Sequence, residues 1–99
     1  MPHLKVGALM RYYLGNQGEV AVHGATVGEA LRDAVVRYPA LEFHLFDSHG
    51  KIRRHINVFV NDKNIRDLQG LSTALAQDDQ IVLLASISGG RGKSVSSVS

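Results

Sequence analysis

The stretch Gln80-Ile81-Val82-Leu83-Leu84-Ala85-Ser86-Ile87-Ser88-Gly89-Gly90 carries the pattern on which the fold turns. Ile81, Leu83, Ala85 and Ile87 fall at one parity of a strand, Val82 and Leu84 at the other. A strand that is apolar on both faces belongs in the middle of a sheet, since a half-solvated strand alternates. Two consecutive glycines follow, then a nine-residue tail of Gly, Ser, Val and basic residues. A strand that runs out into a lead with no side chains can do chemistry on the main chain itself. The group singled out is the carboxylate of Gly90, which becomes available once residues 91–99 are removed.

The remaining chain suits a single domain. Ninety-nine residues support one modest core and not two. Apolar residues make up 44% and charged residues 20%, a globular and not a disordered balance. A net charge of +2, with only Arg53 and Arg54 adjacent and no interleaved aromatics, argues against nucleic acid. The absence of cysteine removes disulfides, thiolate metal sites and cysteine nucleophiles together. There is no apolar segment ahead of a cleavage site, and no run long enough to span a membrane. A soluble cytoplasmic protein is the expectation.

Residues 4–10 alternate, with Leu4, Val6, Ala8 and Met10 on one side, which predicts a strand. Gly15-Asn16-Gln17-Gly18 is a turn signal, and alternation resumes through Val20 and Val22, which completes a hairpin. Thr26-Val27-Gly28-Glu29 fits a capping box. Val27, Ala30, Leu31, Ala34, Val35 and Tyr38 follow at helical spacing until Pro39 stops the run. Residues 40–47 read as a short, irregular helical turn and residues 51–54 as a short strand. Ile56-Asn57-Val58-Phe59-Val60 is a stronger strand, closed by the polar turn Asn61-Asp62-Lys63-Asn64. Leu68, Leu71 and Leu75 are expected to pack a compact loop, and Asp78-Asp79 marks the bend into the last strand.

A last strand lying beside the first, after a helix has crossed one face, makes a mixed α+β sheet. The helix covers one face only. On the other, Phe59 joins Val82 and Leu84, and an exposed apolar patch of this kind marks a partner surface. The competing reading is that residues 40–50 or the loop 66–76 cover it.

Other residues carry less. His3, His23, His44, His49 and His55 lack the i, i+4 spacing around a Glu that a helical zinc site uses, so they read as surface histidines and not as metal ligands. Adjacent Asp78 and Asp79 point apart in a turn and do not make a catalytic pair. Arg53, Arg54, Lys63 and Arg66 form either a solvated face or a basic rim for an acidic partner. Lys51, Lys63 and Lys93 are possible acceptors of an isopeptide bond, with nothing to single one out. Tyr12-Tyr13 reads as core edge.

The hairpin, the capped helix, the turn Val60-Asn61-Asp62-Lys63-Asn64-Ile65, the loop Gly70-Leu71-Ser72-Thr73-Ala74 and the strand ending in Gly89-Gly90 together resemble the β-grasp sulfur carriers of the MoaD/ThiS type. The pattern is most similar to the carriers that serve cysteine biosynthesis. The resemblance implies a ubiquitin-like β-grasp over residues 1–90, a mixed sheet with one main helix on one face, and a flexible tail at 91–99 removed by proteolysis. It implies a carrier and not an enzyme. Gly90 would be adenylated by a ubiquitin-activating-type enzyme that uses ATP, then converted to a thiocarboxylate; the carrier binds no cofactor.

Ser86, Ile87, Ser88 and Gly89 would form the arm in the enzyme's channel, and Gly90-Arg91 the site cut by a JAMM-type zinc metalloprotease. Phe59, Val82, Leu84, Arg53 and Arg66 would be the partner surface, and a sulfur-accepting synthase the recipient, in cysteine, homocysteine, molybdopterin or thiamin synthesis. Two departures stand out. Family members commonly have Asp-Gly where Asp78-Asp79 stands, which predicts strain in the bend. Many also end at Gly-Gly, so residues 91–99 mark a precursor or a non-native tail. A protein modifier that joins lysines through Gly90 shares every one of these residues, and a non-catalytic β-grasp interaction module is the third reading.

Overall fold

The computed structural model describes residues 1–85. Five strands, β1 (His3–Val6), β2 (Glu19–Ala21), β3 (Ile56–Val60), β4 (Lys63–Asn64) and β5 (Gln80–Ala85), form one sheet in the order β2-β1-β5-β3-β4. β5 is central: it runs parallel to β1, with Leu4 beside Ile81, and antiparallel to β3, with Val58 beside Leu83. The mixed sheet and the mid-sheet position of the last strand are as its apolar pattern requires. Leu4, Ile56, Val58, Ile81 and Leu83 are buried on one face, where they meet α1 (Val27–Arg37) and α2 (Pro39–Leu45).

α1 starts as its sequence dictates. The Thr26 hydroxyl accepts from the Glu29 amide at 3.2 Å, and the Glu29 carboxylate accepts from the Ala25 amide at 2.9 Å, one residue upstream of the reciprocal box partner. Val27, Ala30, Leu31, Ala34 and Val35 are buried. Pro39 ends α1 and also opens α2, where the missing N–H of a first-turn proline costs nothing. Residues 40–47 are thus mostly regular helix, with Leu41 and Leu45 fully buried one turn apart.

The structure corrects five expectations. The first strand stops at Val6, and residues Ala8–Leu14 form a 3₁₀ helix. The alternation through Met10 coincides with a helical spacing, since Met10 and Leu14 are the residues this segment buries. Gly15, at φ +64°, ends the turn with its amide on the Arg11 carbonyl. Residues 51–54 are not a strand; only an isolated bridge joins Ile52 to Phe46. Lys63 and Asn64 do more than turn, pairing back on Val60 and Phe59 as β4.

Leu68 is exposed rather than packed, because the 3₁₀ turn Ile65–Asp67 gives only Ile65 to the core; Leu71 and Leu75 do pack against it. Finally, neither Asp78 nor Asp79 takes a positive φ, so the predicted strain is absent. Asn61 holds the left-handed conformation instead, at φ +57°. Its amide side chain ties the two turns together, donating to the Asp79 carboxylate at 3.1 Å and accepting from the Gln80 amide at 3.1 Å. Asp79 also accepts from the Ala76 amide at 2.8 Å.

Candidate functional site

β5 ends at Ala85, the point from which the expected C-terminal arm would lead. Ala85 lies opposite Ile56 of β3, and two residues earlier the Leu83 carbonyl accepts from the Gly7 amide at 3.1 Å. Both edges of β5 are therefore tied down almost to its last residue. A cavity of about 120 Å³ opens beside Ala85, lined by Leu9, Met10, Tyr13, His44, His55 and Ile56. Ser86, Ile87, Ser88, Gly89, Gly90 and Arg91 lie outside the described residues.

The expected outer patch exists as a register feature. Phe59 is the cross-strand partner of Val82, and Asn57 that of Leu84, so the three apolar side chains share the sheet face opposite the helices. Phe59 and Val82 are half-buried and Leu84 is 42% exposed. Neither candidate cover reaches that face. α2 buries Leu41 and Leu45 on the α1 side, and the loop 66–76 is bound there too, with Val27 N–H on the Thr73 carbonyl and Leu75 N–H on the Ala25 carbonyl, both at 2.9 Å.

The arginines take different partners. Arg53 donates from Nε to the Phe43 carbonyl at 2.8 Å, and its guanidinium lies 5.3 Å from the centre of the Phe43 ring. Arg66 instead reaches the carbonyls of Arg54 and Ile56, at 3.3 and 3.4 Å, where β3 begins. His3 faces Glu19 across the β1–β2 pair at 3.0 Å. Among the described residues no three metal-ligating side chains assemble, and no helix is long and apolar enough to cross a membrane.

One carboxylate is electrostatically distinct. Asp47 accepts from the amides of Lys51 at 3.0 Å and His49 at 2.8 Å, and these bonds, chiefly that from Lys51, hold its carboxyl below the usual carboxylate range.

Sequence reasoning misplaced one group. Tyr12 is 77% exposed and is not at the core edge; only Tyr13 packs inward. Tyr13 stacks on His44 with ring centres 3.9 Å apart, Tyr12 meets Tyr13 edge-on at 5.6 Å, and Phe43 meets His44 edge-on at 5.3 Å. The signal was there in principle: a 3₁₀ reading of residues 8–14 puts Leu9 and Tyr12 on one side, three apart.

A five-stranded mixed sheet with a helix across one face and a central last strand is the ubiquitin-like β-grasp, and the comparisons agree. The model of the ThiS family matches residues 5–90, and the chain belongs to that family. It is similar to the sulfur carrier protein CysO of Mycobacterium tuberculosis, with 33% identity over 89 residues, covering 88% of this chain and 96% of that protein. In the crystal structure of the BexX/CysO complex of Amycolatopsis orientalis, a chain 29% identical superposes with a TM-score of 0.83, over 91% of this chain and all of that one. Small archaeal modifier protein 1 of Haloferax volcanii is 39% identical over 66 residues, which cover 67% of this chain and 71% of that protein. These relatives are small ubiquitin-like carriers and modifiers, not enzymes, and the chain is a protein of that kind.

Proposed function

We propose that this protein carries sulfur on its own C-terminus, as the thiocarboxylate of Gly90. The observation that supports this most directly is the extent of the family match, which runs through the whole fold and ends on the second glycine at residue 90. On this reading residues 91–99 are removed first, by a JAMM-type zinc metalloprotease cutting between Gly90 and Arg91. One oxygen of the freed carboxylate attacks the α-phosphorus of ATP on a ubiquitin-activating-type enzyme, and pyrophosphate leaves. Hydrosulfide then adds to the acyl carbon, AMP leaves and a proton is released, so that one oxygen is exchanged for sulfur. The carrier supplies no acid, base or nucleophile besides this carboxyl.

The arm must be long and thin. Five residues drawn out fully would span roughly 16 Å at about 3.3 Å per residue. Glycine at 89 and 90 has no Cβ to meet a channel wall. Phe59, Val82 and Leu84 dock on the activating enzyme. The Amycolatopsis orientalis relative is seen in a complex of CysO with BexX, which supports gripping by a protein partner as the mode of use. The likeness to CysO favours a sulfur-accepting synthase of amino-acid biosynthesis as the recipient, in the cytoplasm.

The archaeal modifiers among the relatives favour a second reading, conjugation of Gly90 to lysines. Mass spectrometry of the protein from its native host separates the outcomes. Chains ending at Gly90, a fraction of them heavier by one oxygen-to-sulfur exchange, are expected. Gly-Gly remnants on target lysines would decide for the modifier. Only chains ending at Ser99, together with a Gly90→Ala variant that retains full function in the host, would reduce the protein to an interaction module.

A further inference from the structure

Four rings and a guanidinium run without a break from the 3₁₀ helix to α2 and on to the segment before β3: Tyr12, Tyr13, His44, Phe43 and Arg53. Scattered exposed apolar residues need no explanation, but contiguous ones do. Here Tyr12 is 77% and Phe43 71% exposed at the two ends, and Leu9, on the same 3₁₀ helix, is 61% exposed. The strip begins at the root of the arm, because Leu9, Tyr13 and His44 line the cavity beside Ala85. It is separate from Phe59, Val82 and Leu84, since it is built on the two helical segments that pack on the other side of the sheet.

The guanidinium of Arg53 lies over the end of the strip, on the Phe43 ring. Glu42 and Asp47 line a cavity together with Phe43 and Arg53, but their own partners are Arg32 at 3.8 Å and the amides of His49 and Lys51, and Arg53 is bonded to the Phe43 carbonyl. Exposed Tyr and Arg are the residue types that anchor protein interfaces, and a desolvated guanidinium there calls for a carboxylate opposite.

We infer that this strip is a second docking surface for the activating enzyme, which meets it with an apolar or aromatic side chain next to a single carboxylate facing Arg53. The arm is then held from both sides of its root, by the outer patch and by the ring strip. The inference rests on the reading that the terminus beyond Ala85 is adenylated.

The test is ATP–pyrophosphate exchange by the activating enzyme of the same organism, with this protein ending at Gly90 as substrate. Turnover with the unaltered chain is measured first, and its absence would sink the underlying reading and this one with it. Given turnover, Tyr12→Ser and Phe43→Ser should each raise KM for the carrier roughly tenfold, with kcat held within about twofold. Their melting temperatures, measured alongside, should match that of the unaltered chain. KM should climb with ionic strength, and less steeply for Arg53→Gln. Unchanged KM for both aromatic variants overturns the inference. So does a concentration-dependent shift of the Tyr12 and Phe43 NMR signals in the carrier alone, which would assign the strip to a second copy of this chain.

Discussion

Gly24→Ala tests the packing that seats α1. The segment from His23 to Thr26 lies along the first turns of that helix: the His23 amide donates to Asp33 at 3.0 Å, and the Ala30 amide to the Thr26 carbonyl at 3.0 Å. A methyl on Gly24 would sit 2.5 Å from the Ala30 nitrogen, 2.9 Å from its Cα and 2.9 Å from the Glu29 carbonyl carbon. All three are backbone atoms of the helix, so no rotamer relieves the clash and the segment must lift away. Overpacking against an unyielding neighbour costs about 3 kcal/mol. The smaller conformational freedom of alanine in the unfolded chain offsets about 0.7 kcal/mol of that.

The net loss of about 2 kcal/mol corresponds to a fall in Tm of roughly 8–16 °C for a domain this size. Gly70→Ala is the comparison. Gly70 has φ +60° with nothing within 4 Å of the added methyl, so it carries only the left-handed penalty, about 1 kcal/mol. Thermal and urea melts followed by circular dichroism read both. Should Gly24→Ala melt within a few degrees of the unaltered chain, or lie above Gly70→Ala, the steric account of this junction is wrong.

Two further outcomes follow from local chemistry. Thr26→Ala removes the oxygen that accepts from the Glu29 amide and should cost about 1 kcal/mol in urea melts. For Asp47, folding lowers the carboxyl pKa, so its contribution to stability is present above the ordinary carboxylate pKa and is lost as pH falls through the folded value. Asp47→Asn should therefore melt below the unaltered chain at neutral pH and converge with it on acidification to about pH 2. A gap that stays constant across that range would exclude the charge as its source.

What was legible in the chain was periodicity backed by burial. β3 and α1 each show the period of their element over five residues or more and bury the face that period selects, while β5 was legible as an unbroken apolar run bounded by a turn. The 3₁₀ helix at residues 8–14 was not legible, because two buried residues four apart leave the same trace as a short alternation. β4 is two residues long and has no period of its own; its pairing depends on Asn61 adopting a left-handed backbone. The outer patch was visible from parity, since Phe59 and Val82 oppose the buried residues of their own strands. The ring strip was not, because its members come from three segments that meet only after α2 has folded back on the 3₁₀ helix. Gly24 carried no signal either, as the helix backbone it accommodates is six residues further along the chain.

The placement of β5 has a mechanical consequence. A tug on the end of the chain beyond Ala85 acts along a strand flanked on both edges, by β1 and by β3. Force directed lengthwise loads those rungs in shear, so they resist as a group and do not peel off in sequence. A pull on that end is thus shared by the whole middle of the sheet before any one strand gives way.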